Sequence, residues 1–501
     1  MTAPALISRD RVVVKAHLLD KFSQQLDVLL EAASSGSLRP REAELRTWTA
    51  MLAVGQLVLT ALFAAMSRRA TDDALANEGR VATDVKIRMD RDYWMTVVTT
   101  MGRVCFPAFA YRLDGEVRVP ARALFPLHRR VCSSELCLEW ETLLASDHPF
   151  RKAAHALGFF THGAVDLEDT TVERHAVLVG SRVSREWLYQ TPAKIRELLR
   201  DKATRDSKTD RPLVYSSTDA HALRRFVDET WRAPWKMVNG IRLWCIDRFT
   251  GETIHLGGEY TWGDCHEVAR LFVELQRSGH LPADGDYGDG VQAQVVLPTD
   301  GLDWIALHVL PLFPGAEVPL DPYHVVEQVA DAAAKIYPRA KKKARSLVKR
   351  ARKALGVRDR RSRTVNRKGP RRRLHRNRHV PYTGSGEELL DLLSPILATL
   401  TRAARARFET LLGYVTGNVH RMAYGDLRNR GYRVGSGAME SQHRFGSQVR
   451  LKLAGCRWTP EVAQAILNAR MLSLSGRWDE FWKQPDLAAR LAQSGGVNCH
   501  A

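Results

Sequence analysis

Apolar residues recur at helical spacing through the first part of the chain. Leu26, Leu29 and Leu30 share one face, and the run over 48–66 is long enough for a helix, so residues 1–92 read as a helical region. The most apolar stretch, 51–66, contains Gly55 and Gln56 and falls short of the roughly 20 residues that span a bilayer; a buried helix is expected there. From residue 93 the pattern shortens to β-type runs through Val97-Val98, Val104, Phe106, Phe109 and Tyr111, with Asp114-Gly115 as a hairpin turn. Helical patterns return over 132–144 and 149–160, break at 161–164 and resume over 167–179. Helix, short Gly-containing turn, helix is the outline of a helix-turn-helix. Against it, Asp166, Glu168 and Asp169 crowd the start of the second helix, and a plain pair of packed helices remains the alternative.

Residues 202–211 are polar and aperiodic, as at a domain boundary. Strand signals follow at 212–220, then at 242–246 and 253–256 around a hairpin at Arg248-Phe249-Thr250-Gly251. A helix is expected over 265–279, and the apolar run 291–297 stops at Pro298-Thr299-Asp300-Gly301. Three strands, a helix and a strand fit an α/β domain with a covered central sheet. Helical signals resume from Gly386, and Thr459-Pro460-Glu461 reads as N-cap, first-turn proline and first-turn acid of the last long helix.

Charge adds a second layer. The chain of 501 residues has 75 basic and 56 acidic side chains, a net charge of +19. Residues 339–378 alone hold 20 Lys/Arg against one acid, Asp359, so the rest is neutral. Such a block repels itself unless an anion lies beside it. It lacks aromatic residues and has few apolar ones, which favours nucleic acid over a membrane surface; a solvated linker is the bland alternative. No signal peptide is expected in the first 20 residues. Seven scattered cysteines suit free thiols in a reducing cytosol, and Cys132 with Cys137 reads as two thiols at a helix start in preference to half of a zinc site.

Three acids stand out by position. Asp219 ends the first strand, Asp300 follows the 291–297 strand, and Glu440 follows Gly435-Ser436-Gly437 at the start of an amphipathic stretch. Carboxylates brought to one edge of a sheet repel unless cations neutralise them, and hard oxygen ligands favour Mg²⁺ or Mn²⁺. Two such ions can activate water or a 3′-hydroxyl and stabilise the leaving oxygen of a phosphodiester. By spacing alone Asp228, Asp247, Glu259, Asp303 and Asp321 fit nearly as well, and acids at strand ends are commonly turn residues.

The segments 431–441 (GYRVGSGAMES), Arg450-Leu451-Lys452, Gly455-Cys456-Arg457-Trp458 and 475–482 (SGRWDEFW) together resemble the C-terminal signature of bacterial insertion-sequence transposases. The nearest group is the Kra-type family, within the DDE transposases related to Mutator elements. The resemblance spans about residues 95–482. It implies Glu440 as the third catalytic acid, Asp300 in its Asp-Gly as the second, and Asp321-Pro322-Tyr323-His324 as the family's supporting Asp-x-x-His element. Asp219 matches the first acid best; it precedes Ala220 where Gly is usual, which keeps Asp228 as a rival. Ala438-Met439 replaces the usual small β-branched pair. The cysteines that often resemble a zinc motif before the β-rich segment are lacking, so no zinc is expected there.

The implied architecture is an α/β RNase H-like catalytic domain interrupted by a mainly helical, basic insertion, with a helical and β-containing N-terminal region. Mapped on the chain, 93–201 holds the small β segment and a possible helix-turn-helix DNA-binding region. Residues 210–330 begin the catalytic domain, 331–425 form the insertion and 426–501 complete the catalytic part. The implied activity is cleavage at element ends and strand transfer to target DNA, with Asp219, Asp300 and Glu440 holding two Mg²⁺ (or Mn²⁺) ions. Double-stranded DNA is the expected partner, a homo-oligomer on DNA the expected working form, and the cytoplasm, at the nucleoid, the expected place. If Glu440 opens a helix, Arg444 and Gln448 follow on its face, and with Arg450 and Lys452 they are candidate phosphate contacts. Lys341, Lys342, Lys343, Arg371, Arg372 and Arg373 are the candidates in the basic segment. His324 reads as a carboxylate support or as a core residue, the latter favoured. A transposase-derived protein that binds DNA without turnover, or a nuclease using the same metal site, are the competing readings.

Overall fold

The computed structural model describes residues 4–36, 38–83, 85–89, 91–125, 133–225, 235–357 and 381–492. The chain divides into two units, one of residues 1–184 with 461–501 and one of 185–460.

The first unit opens with two long helices. Helix α1 (Arg11–Ser34) is N-capped by Asp10, whose carboxylate accepts from the Val12 amide at 2.8 Å, and α2 (Pro40–Asn77) starts on a first-turn proline. The expected buried helix over 51–66 lies inside α2 and is only partly buried. Ala61, Ala64 and Leu75 are covered, whereas Met51, Leu62 and Met66 are exposed, because the hairpin beneath reaches one face only. By length and composition alone, α2 is long and apolar enough to cross a membrane. After the short β1 (Ile87–Arg88), strands β2 (Trp94–Thr99) and β3 (Gly102–Pro107) pair antiparallel, and β4 (Ala110–Leu113) and β5 (Glu116–Arg118) form the expected hairpin. Its two-residue turn has Asp114 and Gly115 both at positive φ, 49° and 83°.

Helices α3 (Glu135–Asp147), α4 (Phe150–Phe160) and α5 (Asp169–Arg182) come next, with His162 and Gly163 at positive φ in the α4–α5 turn. The outline of a helix-turn-helix is there, but α5 has no free face to insert in a groove. Of its residues only Thr170 and Ser181 are exposed, and a Cβ added at Gly180 would sit 2.0 Å from the Ala465 carbonyl oxygen. Apolar contacts on several sides at once bury it as a core helix.

The second unit opens with α6 (Pro192–Asp201), capped by Thr191, and a four-stranded sheet. β6 (Leu213–Arg224), β7 (Trp235–Ile246) and β8 (Thr253–Thr261) run antiparallel, with α7 (Cys265–Arg277) following. β9 (Gln294–Val296) adds parallel to β6 at the other edge, giving the order β8-β7-β6-β9. Then come α8 (Asp303–His308), α9 (Pro322–Ile336), α10 (Lys341–Ala354), α11 (Gly386–Leu397), α12 (Arg402–Asn418), α13 (Tyr424–Asn429), α14 (Gly437–Gln442) and α15 (Val449–Leu451). The helices of the expected insertion are no appendage. Leu347 and Ala351 of α10, Leu393 of α11 and Phe408 of α12 share one buried core with Leu213, Tyr215, Trp244 and Val296 of the sheet.

The chain ends with α16 (Pro460–Ser475), α17 (Trp478–Trp482) and α18 (Leu487–Ala492). From residue 461 this segment belongs to the first unit, not to the catalytic part where 426–501 was expected. The reason is packing: Arg470 pairs with Asp147 and bonds the Ser146 carbonyl, and the Trp478 indole donates to Glu139 at 2.8 Å. Likewise, 202–211 is no loose boundary. Asp206 is fully buried, accepts from the Arg430 guanidinium at 2.6 Å and from the Tyr432 hydroxyl at 3.0 Å, and ties the lead into β6 to the segment before α14.

The Arg430 hydrogen bonds hold the Asp206 carboxyl far below the usual aspartate range, against the opposing effect of burial. Its stabilisation is therefore complete above the ordinary value of about 3.9 and is lost as pH falls through the depressed folded value. Asp206→Asn is expected to cost about 1.5–3 kcal/mol near neutral pH, the worth of a hydrogen bond between charged groups, since Arg430 keeps Glu317 and Asp426 as partners. Urea unfolding of both proteins checks this, and the gap between them should hold from about pH 7 to about pH 4 and narrow below that.

Candidate active site

The parallel pairing of β6 with β9 sets the geometry. Leu213 pairs with Gln294, Val214 with Val295 and Tyr215 with Val296, and the Ser217 hydroxyl donates to the Pro298 carbonyl at 2.8 Å. Carried forward in the same register, Asp219 comes beside Asp300. The electrostatics agree, because the Asp219 charge acts on Asp300 and both carboxyls feel His324. Burial, with the neighbouring Asp219 charge, raises the Asp300 carboxyl above its ordinary value. Asp219 differs: burial works against its ionised form, but His443, at 3.4 Å, and the Ala220 amide, at 2.7 Å, outweigh it and hold the carboxyl low.

Glu440 arrives on α14, which lies on the sheet over Asp219. Asp219 pairs with Gly240 across β6 and β7, and a Cβ at Gly240 would come within 2.4 Å of Met439 Cε and 2.8 Å of Tyr260 Cε1. Only a glycine lets the helix approach this closely. Polar bonds fasten it: Gln442 donates to the Ile241 carbonyl at 2.7 Å, the Tyr260 hydroxyl donates to the Gln442 carbonyl at 2.9 Å, and Arg242 donates to the Ala438 carbonyl. Glu440 itself is exposed.

Asp321 links the two loops that carry Asp300 and Glu440. Its backbone amide donates to the Thr299 carbonyl at 2.8 Å, one residue before Asp300. One side-chain oxygen caps α9 by accepting from the Tyr323 amide at 2.7 Å, and the other accepts from the Ser436 amide at 2.7 Å, just ahead of α14. His324 does not occupy a core; its side chain is 43 % exposed. Sequence reading missed His443, His221, Tyr414 and Arg421. His443 sits one turn after Glu440 and meets His221, Nδ1 to Nδ1, at 3.1 Å. Burial, then the nearby His443, push His221 down to about 3, so it is neutral. Arg421 bonds Thr299 and the Val318 carbonyl beside Asp300, and the buried Tyr414 hydroxyl lies 3.0 Å from where a Gly301 Cβ would be. Only the i+3 spacing of His443 from Glu440 was a signal in the sequence.

The expected DNA contacts divide. A π-helical turn over 443–448 interrupts the stripe below Glu440: Arg444 is exposed, Gln448 is half-buried and Lys452 is exposed. Arg450 is not available to phosphates. It is 1 % exposed, with its guanidinium 4.9 Å from the Trp458 ring centre, where the ring face attracts the cation. Lys341, Lys342 and Lys343 are exposed on the first turn of α10. Arg371, Arg372, Arg373, Asp228 and Cys132 lie outside the described residues.

The donor set suits a hard divalent ion. Two adjacent carboxylates, one of them raised partly by the charge of the other, are the arrangement a cation relieves. The three acids do not form a closed trio. Among the described residues, the group whose ligand atoms all lie within 4.8 Å of one another is Cys265, His266 and His308. Set against known proteins, no family model matches the chain and no curated protein matches it.

Asp321→Ala should remove the α9 cap and the Ser436 tie together and cost about 2.5–4 kcal/mol, from a cap of about 1 and a charged hydrogen bond of about 1.5–3. Asp321→Asn should restore the cap but offer the Ser436 amide an N–H at one oxygen position. Thermal unfolding of both variants reads the difference, with Asn intermediate.

Proposed function

We propose that this chain is a DDE-type DNA transposase of an insertion sequence, with an RNase H-like catalytic domain. The observation that carries the reading is the common register of β6 and β9, which brings Asp219 beside Asp300 under the helix of Glu440. The strand arrangement supports it further, with three antiparallel strands and a fourth parallel to the first. Asp219, Asp300 and Glu440 would hold the Mg²⁺ or Mn²⁺ ions, which supply activation of the attacking oxygen and stabilisation of the leaving oxygen. Asp321 fixes two of the acid-bearing loops, and His443 orients the Asp219 carboxylate. Water attacks phosphorus at the element end and the 3′-oxygen leaves as a hydroxyl; that hydroxyl then attacks a target phosphodiester. The second step exchanges one ester for another. The reading includes double-stranded DNA as partner, a homo-oligomer on DNA, and work at the nucleoid in the cytoplasm.

A second reading is a transposase-derived DNA-binding protein without turnover. The open spacing of the three acids favours it. Cleavage of labelled element-end DNA in Mg²⁺ decides between them: the parent should cut and Glu440→Gln should lose more than about 100-fold, beyond what disturbing a supporting residue costs. Equal rates for parent and variant, or no cutting by either, would remove the catalytic assignment.

The exposed lysines that open α10 are expected to meet phosphates. Replacing Lys341, Lys342 and Lys343 by Ala should flatten the log–log salt dependence of DNA binding by up to about 2.7, at about 0.9 per phosphate contact. Fluorescence anisotropy at several salt concentrations measures the slope.

A further inference from the structure

Away from the acids, the second unit brings a thiol and two imidazoles together. Cys265 and His266 are the first two residues of α7, and His308 is the last of α8. Their ligand atoms all lie within 4.8 Å of one another, and the two imidazole rings are 4.6 Å apart at 64°. Among the described residues, none of the three side chains has a hydrogen-bonding partner in the fold. The backbone is fixed independently, since the Asp264 side chain accepts from the His266 and Glu267 amides at 3.0 and 3.1 Å. At its other end α7 is already joined to the segment after α8, by Phe272 against Phe313 and by Gln276 bonding the Leu312 carbonyl at 2.8 Å.

We propose that Cys265, His266 and His308 form a transition-metal site that takes Zn²⁺ and staples the start of α7 to the end of α8. One thiolate and two neutral imidazoles suit zinc or cobalt, and this softer set disfavours Mg²⁺, which wants oxygen. Around a tetrahedral zinc, sulfur and nitrogen ligands stand roughly 3.3–3.6 Å apart, from bond lengths of about 2.3 and 2.0–2.1 Å. The present spread closes to that by rotamer adjustment at the two helix ends. On binding, the Cys265 thiol gives its proton to solvent and its sulfur electron pair to the metal; each histidine donates a nitrogen pair. Three protein ligands leave a fourth position for water.

The staple acts on the loop of Asp300. Leu302 precedes α8, and its amide donates to the Asp300 side chain at 3.0 Å, so a metal at the end of α8 fixes the short segment that ends at that carboxylate. The metal site itself does not depend on the DNA-transfer reading.

Cobalt(II) titration of the chelator-treated full chain tests the site. One equivalent should bind with an intense thiolate-to-cobalt charge-transfer band and be displaced by Zn²⁺. Cys265→Ser should abolish the band, and His308→Ala should weaken binding by more than about 100-fold, beyond the roughly 10- to 100-fold cost of disturbing residues that only orient a metal's ligands. His266→Ala, at an exposed helix start, gives the same answer if either other variant fails to fold. A double variant, Asp219→Asn with Asp300→Asn, should keep the band, which separates this site from the acids. The proposal is overturned if the parent shows no such band, if the band survives in Cys265→Ser, or if His266→Ala binds cobalt as the parent does.

Discussion

The site depends on the reach of one carboxylate. Asp321 is 3 % exposed, and its backbone and side chain together address three pieces of chain: the Thr299 carbonyl, the first turn of α9 and the Ser436 amide. Asp300 follows the first of these contacts and Glu440 the last. Both pieces are also held elsewhere, through Ser217 of the sheet and Arg421 on one side and through α14 on the other, and Asp321 adds the direct tie between them. An apolar replacement of the same size would keep the backbone bond to Thr299 but lose both side-chain contacts, each a hydrogen bond to a charged acceptor with fixed direction.

A second constraint is the absence of a side chain at Gly240. The α14 helix is short and needs a platform, and β7 offers one by letting Met439 descend onto the backbone. Nearby, Gly258 leaves room for Gln442, whose amide then reaches the Ile241 carbonyl. The Gln442 side chain thus bonds the sheet backbone, the Tyr260 and Arg242 side chains of the sheet bond the α14 backbone, and the exposed Glu440 takes no part in these contacts. The acid that the proposed chemistry needs is the one that the packing leaves unused.

Much of the fold was legible because the signals are local. Asp114-Gly115 takes the two positive φ angles that a tight hairpin demands, Thr459-Pro460 opens a helix, and Gly279 follows the end of α7. Asp300 does follow a strand, but Asp219, expected at a strand end, lies inside β6, which runs on to Arg224; their alignment follows from the parallel register of β6 and β9. What was not legible depends on contacts distant in sequence. Arg450 looks like any exposed arginine until Trp458 folds under it, and α5 looks amphipathic until residues near 465 cover its far side. The π-turn after His443 leaves no mark in composition, yet it decides which side chains of 443–452 meet solvent. The Cys265, His266 and His308 cluster joins two helices whose sequence separation matches no familiar spacing.

The first unit closes only with the chain's own tail, and this bears on how the protein is born. Residues 1–184 leave the ribosome lacking the partner that seats against Gly180, and the whole of 185–460 must be translated before it emerges. At about 5–20 residues per second that wait is on the order of tens of seconds, during which the α5 face stays uncovered. The middle unit, continuous in sequence, can complete itself in that interval, so the order of assembly runs from the centre of the polypeptide outward.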